Sequence, residues 1–317
     1  MGFFSPRYVN AAVKKMDGIP EGSSTLWAQR AVKAYGVLPF LNEHKLEAKN
    51  KADYRSFDYS STQMAIARRF RNSHYERLLS PREIIKALRY RPISVDIQIF
   101  NSIFSDLSGV VTLPDEEDKK CEFDHTINIL SYDSESDSFV FDSNNWSNWG
   151  RNGLGTVSMI YLERYFITAF VSSPVFIQGV IVTESRRKIK LRNRKWYIAT
   201  HPFYSCREDE RLLYNLEVYD AGGNLAGWLH YAMNSQNAAE LLDLYVLEEY
   251  RRQGVGSFLI QEMRQHSKAK EITGFVSAHD LINEREERVK CFLLKNGLLP
   301  MVNKSQFKDA RFRLEKL

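Results

Sequence analysis

The stretch from Glu240 to Met263, ELLDLYVLEEYRRQGVGSFLIQEM, constrains the fold more than any other part of the chain. It reads as an apolar strand ending in Leu244-Tyr245-Val246, then a turn, then a helix opening at about Ser257. The turn is Arg251, Arg252, Gln253, Gly254, Val255 and Gly256. Gly254 and Gly256 carry no Cβ, so the backbone there lets a diphosphate approach closely. The helix start aims free N–H groups and the positive end of its dipole at such an anion. Arg251 and Arg252 add positive charge beside it. The combination predicts a site for a phosphorylated cofactor.

Two other phosphate loops are excluded. The dinucleotide fingerprint G-x-G-x-x-G fails because Leu259 stands three residues after Gly256. A P-loop ending G-K-[ST] fails because no lysine follows. The pattern that fits is R-x-x-G-x-G after an apolar strand, and it resembles the acetyl-CoA-binding motif of the GNAT N-acetyltransferases. The order hairpin, apolar strand, loop, helix, strand, helix and Gly297-Leu298 is similar to that family's arrangement. The resemblance implies that backbone donors at Arg252, Gln253, Gly254, Val255, Gly256 and Ser257, beside Arg251, hold the pyrophosphate of coenzyme A. It also implies that Leu244 and Val246 offer backbone groups to the pantetheine arm and the acetyl carbonyl.

Attack of an amine on a thioester needs a base for the ammonium proton, donors for the carbonyl and an acid for the departing thiolate. Glu240 stands where a glutamate serves as base in some branches of the family, with Asp243 as a weaker alternative. The segment ERVKCFLLKNGL resembles the family's F-Y-x-K-x-G-F. Phe292 matches its phenylalanine, but Leu293 occupies the tyrosine position and has no proton to donate. His279, Tyr245 or water would then serve, or the domain binds acyl-CoA without fast turnover. Cys291 is expected to be a buried helix residue rather than a nucleophile.

At 317 residues the chain is long enough for two ordinary domains. Its 44% hydrophobic and 13% aromatic content suits a packed core. A net charge of +5 suits a phosphate-rich cofactor and is too mild to argue for nucleic acid. The cysteines, Cys121, Cys206 and Cys291, are too far apart to suggest a disulfide framework or a paired metal site. No apolar run approaches the roughly 18 residues that a membrane span needs. The N-terminus lacks the form of a signal peptide, and Pro6 breaks the myristoylation pattern. A cytoplasmic protein without a membrane segment or bound metal is expected.

The two halves follow different patterns. Ser5-Pro6 opens a helix to about Met16, Ser23 or Ser24 caps a second ending near Gly36, and Ser80-Pro81 opens a third. From Pro92 the period becomes two, in PISVDIQIF, HTINILSY, DSFVFD, TVSMIYL and FITAFVS. Helices followed by an antiparallel sheet indicate an α+β domain ending near Ser173. The basic stretch Arg186 to Lys195 reads as a linker or a strand connection. Beyond it, a hairpin turns at Ala221-Gly222-Gly223-Asn224 and leads into the phosphate-loop unit.

FDHTINILSYD and FVFDSNNWSNWGRNGLG carry a second resemblance, to the histidine and asparagine motifs of the papain family. It implies that His125 is the histidine that pairs with a thiolate, and that Asn144 orients its imidazole. Trp146 and Trp149 would shield that bond from water. GSSTLWAQRAVKAYGVLP and the strand region after Arg82 are similar to the family's middle helix and its following strand, so the match runs from about Ser5 to Ser173. Two departures matter. The tract Asn144 to Gly150 is one residue short and lacks a glycine after Trp146. The nucleophile should lie about 130–150 residues before the histidine, which falls ahead of Met1. Cys121, on an expected loop, cannot replace it, and Cys206 and Cys291 fall in the other half. Without a thiolate activated by histidine this chain alone is expected not to cut peptides. It would be a pseudo-peptidase that binds a peptide or protein, or be completed by a separate chain, or have a start placed too late. Ser5-Pro6 already lies inside the family pattern, which favours the last two, with a partner covering apolar surface near the N-terminus.

The expected architecture is an α+β papain-like domain over 1–175, N-terminally incomplete and without its nucleophile. A GNAT domain, α/β with a mixed sheet, follows over 176–317. The expected function is acetyl-CoA-dependent N-acetyl transfer to an amine, including one on a peptide or protein. The alternatives are a cysteine peptidase completed by another segment and a non-catalytic acyl-CoA-binding module.

Overall fold

A computed structural model describes residues 5–18, 23–39, 57–72, 75–89, 91–105, 107–143, 149–172, 175–177, 186–191, 196–200, 203–208, 211–234, 236–269, 271–276, 285–301 and 310–314. The chain divides into two compact units, Met1–Ile177 and Gln178–Leu317.

The first unit opens with α1 (Pro6–Asp17) and α2 (Thr25–Tyr35), then α3 (Ser61–Ala67), β1 (Phe70–Asn72), β2 (Tyr75–Leu78) and α4 (Pro81–Leu88). Helix starts are set by side-chain caps. The Ser5 hydroxyl accepts the Tyr8 N–H at 3.0 Å with Pro6 in the first turn, and Ser80 and Pro81 repeat the device at α4. Gly18, at φ 67°, ends α1 with its N–H on the Lys14 carbonyl. The helix α2 is different: its N-cap Ser24 makes no capping bond, and a carboxylate from elsewhere in the fold takes over. Asp96 accepts the Thr25 N–H at 3.4 Å, the Thr25 hydroxyl, and the Thr126 hydroxyl at 2.6 Å. No local motif around α2 announces that cap.

Then come β3 (Ile93–Ile97), α5 (Ser102–Ser105), β4 (Val110–Val111), β5 (His125–Asp133), β6 (Ser138–Asp142), β7 (Leu154–Ser158), α6 (Met159–Tyr165), β8 (Phe166–Ser172) and β9 (Val175–Ile177). Seven described strands form one sheet in the order β2-β8-β3-β5-β6-β7-β4, and β1 pairs with β9. The sheet is antiparallel except for the two-residue β4, which runs parallel to β7. Alternating residues Ile93, Val95, Ile97, Ile127, Ile129, Phe139 and Phe141 are buried against Ile84 of α4 and Leu162 of α6. Trp149 joins that core. Its ring packs on Phe141 at 5.6 Å and its N–H donates to the Ile103 carbonyl at 3.1 Å. A Cβ on Gly155 would stand 2.3 Å from the Trp149 ring, so glycine is required there.

The second unit contains β10 (Arg186–Lys190), β11 (Trp196–Thr200), β12 (Phe203–Glu208), β13 (Arg211–Asp220), β14 (Leu225–Met233) and β15 (Ala238–Val246). They are followed by α7 (Val255–Ser267), β16 (Glu271–Val276), α8 (Arg285–Lys295), β17 (Leu298–Met301) and β18 (Ala310–Leu314). The sheet order is β10-β11-β13-β14-β15-β16-β18-β17, with β12 also on β13. It is mixed, because β15 and β16 run parallel while the other ladders are antiparallel. Part of the basic stretch is therefore a strand, pairing Arg186–Lys190 with Trp196–Thr200. Its ladder hydrogen bonds do not depend on side-chain polarity, and Ile189 gives it an anchor on the core. Helix α7 covers one face through Val255, Leu259, Ile260 and Met263. Among the described residues no helix is long and apolar enough to cross a membrane, and no cluster of His, Cys, Asp or Glu could hold a metal.

Candidate functional site

A one-residue slip in β15 organises the second unit. Tyr231 on β14 faces Leu241, whereas His230 faces Asp243, so Leu242 is an extra residue, a β-bulge. The bulge reverses which side chains face the helix. Ala239 and Leu241 enter the core beneath α7 before it, and Leu244 and Val246 pack against that core after it. Pairing with β16 stops at the same point. The parallel ladder runs from Ala238↔Glu271 to Leu241↔Gly274, although β15 continues to Val246 and β16 to Val276. A wedge therefore opens between the two strands.

Backbone direction decides what the wedge offers. The Leu247 N–H donates to the Ala226 carbonyl on the β14 side, and the Tyr245 carbonyl lies against Gly227 of β14. By strand alternation, Leu244 and Val246 turn their N–H and C=O groups to the other side, the one β16 has left. The Val246 carbonyl is already engaged there, accepting the Arg251 Nε–H at 3.1 Å.

The loop follows directly. Arg252 and Gly254 adopt left-handed backbone, φ 61° and 94°, and Gly254 is the N-cap of α7. A glycine cap has no side chain to accept N–H groups. The first helical bond is Phe258 N–H to the Gly254 carbonyl at 3.0 Å, so the N–H groups of Val255, Gly256 and Ser257 have no helical acceptor. A Cβ on Gly256 would meet the Phe292 ring of α8 at 3.0 and 3.1 Å and Val246 at 3.5 Å. The loop backbone thus lies tight between α8 and the mouth of the wedge.

Side chains hold the loop in place. Gln253 accepts from the Tyr197 hydroxyl at 2.5 Å and donates to the Glu249 carbonyl at 2.6 Å. The Tyr250 hydroxyl donates to Asp220 at 2.7 Å. Burial opposes ionisation of Asp220, but hydrogen bonds from Asn224 and Tyr250 outweigh it and bring its carboxyl below the usual range. Arg251, exposed, folds back along β15, with Nη2 donating to the Tyr245 hydroxyl at 3.2 Å and its guanidinium 5.6 Å from the Tyr245 ring. In this geometry Arg251 ties the loop to β15. The chain shows no local sequence signal for the ties from Tyr197 and Asp220, but the doubled Leu241-Leu242 breaks the strand's alternation and marks the bulge.

Leu244, Val246 and the run Arg251–Ser257 lie along one continuous path. Glu240, on the same strand four residues before Leu244, is half-buried and on the sheet face away from α7. Asp243 shares that face and accepts the Trp228 indole N–H at 2.9 Å. Leu293 is buried in the core with Leu259 and Ile260, which removes it from proton transfer. Cys291 is exposed on α8, against the expectation of burial, because the core-facing residues of that turn are Phe292 and Leu293. His279 lies outside the described residues.

In the first unit, His125 begins β5 opposite Ile97, and its Nε2 lies 3.3 Å from the Ser143 carbonyl. Burial holds its pKa below the ordinary histidine value, while the Ser143 carbonyl and Asp96 pull it upward. Asn144 and Trp146 lie outside the described residues. The Cys121 thiol contacts the Asn101 carboxamide oxygen at 3.3 Å, and burial and then Asp118 push its pKa up. That is the reverse of what a nucleophilic thiolate needs.

Residues 178–289 match the acetyltransferase (GNAT) family. They form a GNAT domain. The GNAT domain is an acyltransferase domain whose cofactor is acetyl-CoA. Its residues fit that cofactor: the open N–H groups at Val255–Ser257 suit a diphosphate, and the wedge beside Leu244 and Val246 suits an extended amide-bearing arm. No curated protein sequence matches the chain. Among solved structures, xylellain, a cysteine protease from Xylella fastidiosa, is similar to the N-terminal part. The identity is 17%, over 54% of this chain and 70% of that one, with a TM-score of 0.48. A Bacillus subtilis acetyltransferase in complex with CoA is 18% identical over 33% of this chain and 78% of its own, TM-score 0.27. A spermidine N-acetyltransferase from Vibrio cholerae is 16% identical over 34% of this chain and 66% of its own, TM-score 0.27.

Proposed function

We propose that the GNAT domain transfers the acetyl group of acetyl-CoA to an amine, carried on a peptide or protein that the N-terminal unit engages without cleaving it. The observation that carries this reading is the coincidence of the Leu242 bulge, the end of the β15–β16 ladder and the open N–H groups of α7. Bound acetyl-CoA supplies a thioester carbonyl for the amine to attack. The chain's own groups do the rest. Backbone N–H groups of Val255, Gly256 and Ser257 bind the diphosphate. The Leu244 N–H and C=O and the Val246 N–H orient the arm in the wedge. Glu240, half-buried on the sheet face away from α7, takes the ammonium proton, while Asp243 accepts the Trp228 indole N–H. Leu293 cannot return a proton, and that role falls to the Tyr245 hydroxyl, which accepts from Arg251.

For the N-terminal unit, the raised pKa of the Cys121 thiol supports binding over cleavage in this chain alone. A partner chain bringing a thiol to His125 is the second reading, and the depressed pKa of His125 suits a neutral base awaiting such a group. The wide spacing of the cysteines fits a reducing, cytoplasmic setting.

The test is acetylation of an amine panel by wild type and Glu240→Gln. The expected result is a loss of about 10²–10⁴ in turnover with acetyl-CoA affinity retained. Equal turnover of the two proteins would remove Glu240 from the mechanism, and no turnover by wild type on any amine would leave acyl-CoA binding as the function.

A further inference from the structure

The start of α2 carries a hydroxyl that the fold does not use. Ser24 is the N-cap of that helix and is 7% exposed, yet its Oγ has no hydrogen-bond partner among the described residues. We propose that Ser24 and His125 form the floor of the site where the N-terminal unit holds an extended peptide, the hydroxyl binding a peptide carbonyl rather than attacking it. The proposal rests on the peptide-engaging reading above and names the residues through which that unit acts.

Three observations support it. The first is that local structure gives Ser24 no role. A capping serine accepts an N–H from the first helical turn, but here Asp96 accepts both the Thr25 N–H, at 3.4 Å, and the Thr25 hydroxyl. An enclosed hydroxyl left without a partner destabilises a fold, and alanine at that position would not. The first helical bond runs from the Ala28 N–H to the Ser24 carbonyl at 3.2 Å, so the Leu26 N–H has no helical acceptor either. Hydroxyl and N–H are two donors at one helix start, and the Asp96 carboxylate beside them disfavours an anion. A neutral carbonyl oxygen suits them.

The second is position. The Thr25 and Thr126 hydroxyls stand 3.4 Å apart, and Ser24 and His125 are the residues immediately before them. Asp96 bonds to both threonines, and its charge reaches the His125 ring. One carboxylate therefore ties the start of α2 to the start of β5.

The third is chemistry. The Ser143 carbonyl can only accept, so His125 Nε2, 3.3 Å away, carries the ring proton and Nδ1 holds the basic lone pair. No hydrogen bond joins Ser24 Oγ to that nitrogen. A serine hydroxyl that no base engages is a poor nucleophile. A thiol at the same place, with an ordinary pKa of about 8.5, would yield its proton to a neutral imidazole far more readily. Serine here keeps a bound peptide whole.

Ser24→Cys in the full chain tests the pairing, read by mass spectrometry of the alkylated peptides so that the native cysteines are scored separately. At pH 6 the introduced thiol should react with iodoacetamide at least about tenfold faster than it does when His125→Gln is added. Members of a panel of N-acetyl-dipeptide chloromethyl ketones should alkylate it at least about tenfold faster than chloroacetone, which has the same reactive group and no peptide. Ser24→Ala should melt at or above the wild-type temperature, because no bond is lost. Equal iodoacetamide rates with and without His125, or an unreactive introduced thiol while the exposed Cys291 is alkylated, overturn the pairing. The peptide-engaging reading then stands, with His125 left for a thiol from another chain. Equal rates for chloroacetone and every dipeptide reagent, with the His125 dependence intact, overturn the peptide assignment and the reading beneath it. A melting temperature several degrees lower in Ser24→Ala makes Ser24 a structural cap and ends the proposal.

Discussion

His125 and Gly256 illustrate how single residues carry opposite kinds of information. Gly256 matters through the atom it lacks, because a Cβ there would crowd the Phe292 ring at 3.0 and 3.1 Å. That requirement was legible in the sequence as half of a glycine pair, although the reason, α8 pressing on the loop, was not. His125 was legible as a motif residue, but its environment is a property of the folded sheet. Burial lowers its pKa below the ordinary value, so as pH falls the unfolded chain takes up the proton first. The stabilisation from neutral His125 is complete above about pH 6.5, the unfolded value, and is lost progressively below it. Thermal melts of the N-terminal unit should therefore drop between pH 7 and 5, and His125→Gln should flatten that slope. An unchanged slope in the variant would assign the acid sensitivity to other groups.

At the scale of elements, the strand, loop and helix at 238–267 were readable because each has its own local signature: an apolar run, a glycine-bearing turn and a 3.6-residue apolar stripe. The bulge inside β15 is marked only by the doubled Leu241-Leu242. Leu241 and Leu242 are both apolar, so hydrophobicity alone does not say which of them faces the helix. Strand β10 was obscured for a related reason. Four of its five residues are basic, and pairing with β11 rather than apolar alternation makes it a strand. The cap of α2 by Asp96 joins residues 71 positions apart, which no local pattern reports. The bulge yields a direct prediction. Deleting Leu242 removes the bulge, leaves Leu244 and Val246 on the face toward α7 in an uninterrupted alternation, and lets β15 pair further along β16 so that the wedge closes. The variant should stay folded by circular dichroism and lose acetyl-CoA affinity by at least about tenfold. Wild-type affinity in that variant would show that the wedge does not hold the pantetheine arm.

Across the whole molecule, the two units differ in how completely they present a site. The second brings its loop, wedge and strand residues together within one sheet and one helix, from segments close in sequence. The first holds His125 in a described environment, while its expected partner Asn144 falls outside the described residues and no activated thiol appears among the described ones. The division at Ile177 follows the pattern of contacts, which sequence periodicity could only approximate as a change of pattern between residues 173 and 194. The central claim is acetyl transfer from a cofactor seated on the Gly254 loop. Its most direct test is amine-dependent release of free coenzyme A thiol, measured continuously for wild type and Gly254→Glu. A carboxylate at the N-cap would repel the diphosphate, and the left-handed backbone there disfavours any side chain. The account predicts release by wild type that rises with amine concentration and falls to the spontaneous rate in the variant. Release that is the same in both proteins, or that never exceeds spontaneous hydrolysis with any amine, would contradict it.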